Sequence, residues 1–302
     1  MSSTTETTIV GWDGSLEAQA ALDWAVRRAT RRGGSLHVLS VMEPFPFMET
    51  EALMGDAIAD RAVRSLDDEV ESIRARTPEL HLSSELITGD PTEEFLARSS
   101  PTTALVFGTR HRSAPYFRFA WSFGGQLAAH ARGPVVIVPD NASSSGRGIL
   151  VGVDGSDESE VAVRYAAHEA RAAHTSLDLV HAWLGPLANP VPGFEVEKAP
   201  WLIDAHRKTI DRAVALAREE WPEIQAVVHV EVDTASHALL HRARDAELVV
   251  VGARGRSPLA SLAFGSVSTA LLAVMPCPVA ILGPETVLAR TPHDPTPATA
   301  LR

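Results

Sequence analysis

The sequence has few cysteines and an excess of acidic over basic side chains. Its 302 residues include one cysteine, Cys277, and carry a formal net charge of −11. A single cysteine excludes an intrachain disulfide and favours a reducing compartment. Cys277 stands between two prolines ahead of a short apolar run, which predicts a buried packing residue rather than a nucleophile. The negative charge argues against a protein that wraps nucleic acid or binds an anionic membrane surface.

Long apolar runs and several catalytic motifs are also absent from the sequence. No apolar run reaches the length of a membrane span, and the N-terminus lacks the basic and apolar regions of a signal peptide. We therefore predict a cytoplasmic protein without membrane or nucleic-acid partners. No Gly-x-Ser-x-Gly elbow occurs. His237 and His241 have the spacing of a two-histidine metal site, but no third ligand is evident, so we predict no metal site.

The chain repeats itself over the length of a domain. Residues 151–156 read Val-Gly-Val-Asp-Gly-Ser and echo residues 10–15, Val-Gly-Trp-Asp-Gly-Ser, at an offset of 141. Residues 252–278 align without a gap with residues 108–134, at an offset of 144. A unit of roughly 140 residues can bury its own core, so the repeat predicts two tandem domains.

Polar stretches mark the boundaries of the two predicted domains. Residues 141–147 are small, polar and without apolar periodicity, as in a flexible linker. The first domain is therefore predicted to span residues 1–140 and the second to span residues 148–284. The proline-containing remainder, residues 285–302, is predicted to be a disordered tail.

Short β-branched apolar runs alternate with segments of helical periodicity in the second half. This alternation predicts an α/β fold, with a doubly wound parallel sheet that helices cover on both faces. Ligands of such sheets bind at the carboxyl ends of the strands, where the strand order reverses. The predicted strands are 148–153, 176–183, 226–232, the run ending at 251, and 279–282; the predicted helices are 156–173, 201–221, 236–244 and 266–274.

The predicted strand that ends at Val251 runs into a glycine-rich stretch. Gly252 and Gly255 are followed, after nine residues, by Gly265 and Ser266 at a predicted helix start. Glycines let the backbone approach an anion closely, and a helix start offers unpaired N–H groups at the positive end of its dipole. The stretch therefore predicts a phosphate or nucleotide site, although glycines also serve as helix caps and packing points.

Further residues belong to this predicted site. The hydroxyls of Ser266 and Ser268 and the N–H of Val267 lie at the helix start, and Arg254 adds positive charge. Asp154 follows the first strand of the second half, so strand-end geometry brings it to the same crevice. One role for Asp154 is functional: it accepts hydrogen bonds from a ribose or helps hold a metal on the phosphates. The alternative is structural: it is a turn and cap residue of an Asp-Gly-Ser sequence.

These residues resemble the universal stress protein family in its tandem form, in which two such domains are fused. The nucleotide motif of that family is Gly-x2-Gly-x9-Gly-Ser/Thr, and the second half matches it through Gly252, Gly255, Gly265 and Ser266. The resemblance covers nearly all of both halves. It implies a five-stranded parallel sheet in each domain, of the Rossmann-like type found in adenine nucleotide alpha hydrolases.

The same resemblance implies a ligand and an assembly. The ligand would be ATP, with or without Mg²⁺, and adenine contacts would come from Ala182 at the end of the second strand. Domains of this family pair through their last strands, here within residues 134–138 and 279–282, which implies a homodimer.

The first half departs from the nucleotide motif. The gapless alignment places His111 where Gly255 stands and Trp121 where Gly265 stands. An indole fills space that a phosphate needs, because only glycine lacks a side chain at a point of close approach. We therefore predict one sound site in the second domain and a degenerate one in the first. Of the motif positions the first half keeps only Gly108 and Ser122. Asp13 and Val41 also remain, which leaves open a nucleoside pocket without a triphosphate cradle, and Gly124-Gly125 leaves open a glycine loop in another register.

The sequence favours an ATP-binding stress-response or signalling protein over two alternatives. One is a slow ATP hydrolase or phosphoryl-transfer enzyme, for which no convincing general base or nucleophile is present. The other is a ligand-free scaffold that recruits an unidentified signalling partner. The long segments 43–60 and 184–200 either cover the site, or form a partner surface, or are plain irregular connections.

Overall fold

The computed structural model describes residues 6–44, 49–110, 123–142, 146–184, 200–253, 265–283 and 285–288. The chain divides into two compact units. The first comprises the described residues up to 142 together with residues 285–288, and the second comprises the described residues from 146 to 283. The predicted α/β class and the two tandem domains are confirmed.

Each unit repeats one order of strands and helices. The first unit contains β1 (Thr7–Gly11), α1 (Leu16–Arg32), β2 (Ser35–Met42), α2 (Glu49–Arg76), β3 (His81–Thr88), α3 (Pro91–Arg98), β4 (Thr103–Thr109), α4 (Phe123–His130) and β5 (Val135–Pro139). The second contains β6 (Ile149–Gly152), α5 (Asp157–Ala173), β7 (Leu177–Trp183), α6 (Pro200–Glu220), β8 (Ala226–Val232), α7 (Ala235–Ala243), β9 (Leu248–Gly252), α8 (Ser266–Val274) and β10 (Val279–Leu282).

The strand order places the ligand-binding end of each sheet. In the first unit the order is β3-β2-β1-β4-β5, and in the second it is β8-β7-β6-β9-β10. The described strand pairs within each unit are parallel. The order reverses between β1 and β4 in the first unit and between β6 and β9 in the second, and at such a switch point a crevice opens beyond the strand ends.

Burial explains why the strands could be predicted from the sequence. β4 and β9 are rich in apolar residues, and all but the last one or two residues of each are buried, as expected for strands covered on both faces. β3 and β8 instead alternate exposed and partly buried residues. On β8 the exposed residues include Val228, Val230 and Val232, each more than 40% exposed.

A buried ion triad fixes the start of β1 against α1. Glu6 accepts hydrogen bonds from Arg28 and Arg32, and all three side chains are less than 10% exposed. Arg28 Nη1 also donates to Thr8 Oγ1 at 2.9 Å. Burial raises the pKa of Glu6, but the two guanidinium groups outweigh that effect and hold the pKa below its ordinary value of 4.5.

Two predicted segments differ from the structure. The irregular connection that the sequence allows for segment 43–60 is wrong for residues 49–60, which belong to α2. The tail was predicted to begin at residue 285, yet the N–H of Val287 donates to the carbonyl of Pro101 at 2.8 Å and Thr286 is 6% exposed. The last tail residues, 289–302, and segment 185–199 lie outside the described residues.

Candidate functional site

The second unit has a cavity of about 180 Å³ at its topological switch point. It lies where β6 and β9 end, at the start of α8, and β7 and α7 complete its walls. The structure thus brings together most of the residues that the sequence singled out. Its lining residues are Gly152, Val153, Asp154, Ser159, Val180, Ala182, Ala235, Leu239, Val251, Gly252, Gly265, Ser266, Val267 and Ser268.

Asp154 shapes the turn between β6 and α5. Its Oδ1 accepts from the N–H of Ser156 at 2.9 Å and from the hydroxyl of Ser156 at 2.5 Å. Ser156 in turn caps α5, because its Oγ accepts from the N–H of Ser159 at 3.2 Å. The turn role that the sequence left open is therefore real. The carboxylate also lines the cavity, so the same geometry presents it to a ligand.

The start of α8 differs from the other helix starts whose caps the structure describes. α1, α3, α5 and α7 each begin behind a Ser, Asp or Thr whose side chain accepts an N–H of the first turn. α8 begins behind Gly265, which has no side chain to accept one. Since the first N–H groups of a helix have no partner within the helix, this end of the cavity can receive an anion.

The hydroxyls at this helix start have unequal roles. Ser266 is exposed and lines the cavity. Ser268 is 1% exposed, and its Oγ donates to the carbonyl of Gly265 at 3.0 Å and lies 3.3 Å from that of Ala253. Thr269 Oγ1 donates to the same Gly265 carbonyl at 2.8 Å. Because one O–H donates to one acceptor at a time, Ser268 fixes the backbone around Gly265 in this structure, whereas Ser266 faces the cavity.

A buried histidine supports the cavity from the opposite face of β7. Ala182 lines the cavity, while His181 is 5% exposed and its Nδ1 lies 2.6 Å from the carbonyl oxygen of Val153. A carbonyl only accepts, so Nδ1 carries the proton. His181 Nε2 lies 2.8 Å from Nδ1 of His206, whose ring stacks on Trp183 at 4.3 Å between centroids. The hydrogen bond from His181 therefore holds the backbone of Val153, the residue before Asp154, in place.

Sequence reasoning missed the role of His181. The only available signal was a histidine within strand β7, which does not distinguish a supporting residue from a core residue. Ser159, Ala235 and Leu239 were also missed as wall residues, because α5 and α7 reach the cavity only through the tertiary fold. Arg254 and Gly255 lie outside the described residues, as does Ser122 of the first unit.

The first unit has a cavity of about 570 Å³ at the equivalent position. Asp13 and Val41 lie in its wall at the places of Asp154 and Ala182, and Gly108 lies at the place of Gly252. Asp13 repeats the turn geometry, since its Oδ1 accepts from the N–H of Ser15 at 2.9 Å. The predicted degeneracy of this site depends on His111 and Trp121, which lie outside the described residues, so it stays a prediction.

Gly108 has a packing role in addition to its place in the cavity wall. A Cβ atom at this position would lie 1.9 Å from the carbonyl oxygen of Glu17, in the first turn of α1. Backbone cannot yield there without moving the helix away from β4. Glycine at position 108 is therefore required by the close approach of α1, whatever the cavity binds.

The remaining sequence candidates have local roles. Cys277 is buried as predicted, and burial raises the pKa of its thiol to about 12. His237 pairs with Asp233, with Nδ1 2.5 Å from the carboxylate. Among the residues that the structure describes, no group of three or more His, Cys, Asp or Glu side chains could hold a metal ion. Within the described residues, no helix combines the length and apolar character of a membrane span.

Comparisons with known proteins agree with the tandem architecture. The family model described as "Universal stress protein family" matches residues 5–139 and 147–283. A universal stress protein of Mycobacterium tuberculosis is 30% identical over 291 residues, covering 90% of this chain and 95% of the relative. One of Mycolicibacterium smegmatis is 28% identical over 289 residues, covering 92% and 97%. A solved universal stress protein from Archaeoglobus fulgidus has a TM-score of 0.68 at 19% identity, covering 93% and 99%, which is a similarity of fold.

Proposed function

The chain belongs to the universal stress protein family, and from that premise we propose that it is a stress-response or signalling protein that binds ATP in its second unit. The observation that carries the proposal is the cavity at the switch point between β6 and β9. Asp154 and Ala182 lie in its wall, together with Gly252 and the uncapped start of α8.

The start of α8 fits the phosphate end of the ligand. Gly265 leaves the first-turn N–H groups without a side-chain cap, and Ser266 adds an exposed hydroxyl. These groups donate hydrogen bonds at the positive end of the helix dipole, which is the chemistry that holds phosphate at helix starts. Gly255 and Arg254, which complete the family motif in the sequence, belong to the same proposed site.

The wall on the side of β7 fits the nucleoside end. Val180, Ala182 and Leu239 give it an apolar surface of the kind that packs against a base, and Asp154 supplies an acceptor for ribose hydroxyls. The 180 Å³ cavity is smaller than the about 300–1,000 Å³ common for small-molecule sites. We therefore propose that the cavity takes the nucleoside part and that the phosphates lie at its rim, along the start of α8.

The proposed activity is binding rather than turnover. Asp154 Oδ1 is engaged by Ser156, and no described lining residue of this cavity pairs a nucleophile with a general base. A homodimer and a cytoplasmic location remain predictions. Analytical ultracentrifugation distinguishes a single 32.3 kDa chain from a dimer of twice that mass.

The first experiment identifies the nucleotide that the full chain carries. Freshly purified protein is denatured, and the released nucleotide is identified by chromatography and mass spectrometry. Nucleotide-free protein is then titrated with ATP by calorimetry, with Mg²⁺ and with EDTA. We expect ATP near one equivalent per chain, and a comparison of the two titrations measures the contribution of Mg²⁺. Release of ADP and phosphate during incubation would support the enzyme alternative.

Other outcomes would contradict the proposal. Two equivalents of ATP would show that the first unit also binds the nucleotide. AMP or a cyclic nucleotide in place of ATP would change the signal that the protein senses. Protein that carries no nucleotide and gives no heat on titration with ATP would support the scaffold alternative.

A further inference from the structure

The first unit's cavity differs from the second in its floor. Three phenylalanines, Phe95, Phe107 and Phe123, form this floor, and their rings meet edge to face with centroids 4.8, 5.8 and 5.1 Å apart. Phe95 and Phe107 are buried, whereas Phe123 is 37% exposed and begins α4. The equivalent positions in the second unit are Leu239, Val251 and Val267.

The aromatic floor gives the first cavity a defined recognition surface. Its volume of about 570 Å³ falls within the about 300–1,000 Å³ range of small-molecule sites. Ring faces carry a negative quadrupole, so they attract cations and stack with planar molecules. Phe123 is the partly exposed ring of the three and is therefore the one that a ligand can reach.

The charges around this cavity are predominantly negative among the residues that the structure describes. Asp13, Glu17 and Glu43 line it, and Arg110 is the one lysine or arginine among its described lining residues. Arg110 pairs with Glu17, and this hydrogen bond holds the pKa of Glu17 below its ordinary value. The guanidinium is therefore engaged by a carboxylate, and Asp13 and Glu43 are the remaining charged side chains among the described lining residues.

These two carboxylates disfavour a polyphosphate beside them and favour a cation. Two like charges about 4 Å apart repel by roughly 1 kcal/mol in water and by more in a partly enclosed cavity. The same carboxylates attract a positive ligand, and the phenylalanine floor stabilises it further by cation–π contact. The two properties reinforce each other only for a ligand that is both positively charged and apolar.

We propose that the first unit binds a small organic cation with a planar aromatic body. Its apolar body would contact Phe123 and the floor, and its positive charge would face Asp13 and Glu43. The two units would then bind ligands of opposite charge on one scaffold. The inference does not depend on ATP binding, because every residue that carries it lies in the first unit.

The test titrates the full chain with proflavine, a planar tricyclic cation, and follows its fluorescence anisotropy. Acridine, which has the same ring system and is neutral near neutral pH, is the matched ligand. We expect saturable proflavine binding at one site, and about fivefold weaker binding of acridine, because it forgoes the cation–π and carboxylate attraction. Saturating ATP should leave the proflavine affinity unchanged.

Two variants locate the site, and a third serves as the control. Phe123→Val introduces the residue found at the equivalent position of the second unit and should weaken proflavine about fivefold. Asp13→Asn keeps an acceptor for the N–H of Ser15 but removes the charge, so it should weaken proflavine and not acridine. Val267→Phe, the matched change in the second unit, should leave proflavine binding unchanged. Thermal melts check that each variant is folded.

Three results would overturn the inference. Proflavine affinity that is unchanged in both Phe123→Val and Asp13→Asn would place its binding elsewhere. Equal affinities for acridine and proflavine would refute the role of charge. Competition by ATP at the same stoichiometry would show a nucleotide site instead. ATP titration of Val267→Phe tests the second unit alone. Unchanged ATP affinity in this variant would count against the proposed ATP site and would not bear on the proflavine site.

Discussion

Gly265 offers a direct test of the proposed phosphate site, through its replacement by aspartate. Its backbone has φ −71° and ψ 163°, an extended conformation that any L-residue adopts and that N-cap residues normally have. Asp90 shows the expected outcome, because at the N-cap of α3 its carboxylate accepts from the N–H of Glu93 at 3.0 Å. In Gly265→Asp, the new carboxylate should cap α8 in the same way.

The substitution should have opposite effects on stability and on ATP binding. A capping aspartate in place of glycine should stabilise α8 by a few tenths of a kcal/mol, and its charge should add about 0.3–1 kcal/mol by interaction with the helix dipole. The same carboxylate would occupy the N–H groups that the phosphates need. Its repulsion of a phosphate about 4 Å away would cost roughly 1–4 kcal/mol, depending on solvent exposure. We expect the Kd for ATP to rise at least about tenfold, which corresponds to about 1.4 kcal/mol.

The assay compares three proteins. Calorimetric titration with ATP gives the affinity of the wild type, of Gly265→Asp and of Gly265→Asn, and melting in the absence of ligand gives their stabilities. Asparagine caps a helix as well as aspartate does but carries no charge. The affinity should therefore fall from wild type to the asparagine variant and again to the aspartate variant, and added salt should narrow the last difference.

Two results would refute this reasoning. ATP affinity in Gly265→Asp equal to that of the wild type would show that the start of α8 does not hold the phosphates. A large drop in the melting temperature of Gly265→Asn would show that the position cannot accept a side chain and that the argument from its backbone conformation is wrong.

Three further predictions concern stability and reactivity. Glu6→Gln should lower the free energy of unfolding by about 3–5 kcal/mol near neutral pH, because it removes the carboxylate that pairs with two buried arginines. Since the native pKa of Glu6 is lowered, the stabilisation by its carboxylate is complete above pH 4.5 and is lost as the pH falls through the native pKa. In urea unfolding, the difference in stability between wild type and variant should therefore shrink in acid. Gly108→Ala should destabilise by at least about 1–3 kcal/mol because its Cβ would meet the Glu17 carbonyl, whereas Gly89→Ala, whose Cβ would meet a flexible side chain at 3.0 Å, should cost less; equal denaturation midpoints would contradict this. Cys277 should react with a thiol reagent only after unfolding, and rapid labelling of the native protein would contradict its burial and raised pKa.

The sequence was sufficient for the fold because the strands that carry it are short, apolar and buried. β9 was predicted from a β-branched run and lies between two strands of its sheet. β8 and α7 were predicted to within a residue or so, since alternation and helical periodicity are local signals. α2 was not predicted from the sequence; it begins at Glu49 inside segment 43–60, which is rich in proline, methionine and aromatics.

Only part of the candidate site could be predicted from the sequence. Residues at strand ends, such as Asp154 and Gly252, could be placed by topology alone, because parallel strands end at one edge of the sheet. The supporting role of His181 and the wall position of Leu239 could not be predicted, because they depend on which face of a strand or helix meets the cavity. The floor of the first cavity was missed for the same reason, since Phe95, Phe107 and Phe123 are 12 and 16 residues apart in the chain.

The glycines of the nucleotide motif therefore differ in how much they reveal about ligand binding. Gly108 is kept in the first unit although the other two glycines of the motif are not. A Cβ atom at this position would lie 1.9 Å from the Glu17 carbonyl oxygen, which explains the glycine without any ligand. Helix packing accounts for the glycine at position 108, so its retention in the first unit is not evidence of a phosphate site there. Gly265 is different, because its backbone would accept a side chain and a capping residue would stabilise α8. A position that leaves a helix start uncapped, where a cap would add stability, is the stronger sign that the N–H groups there are reserved for a ligand.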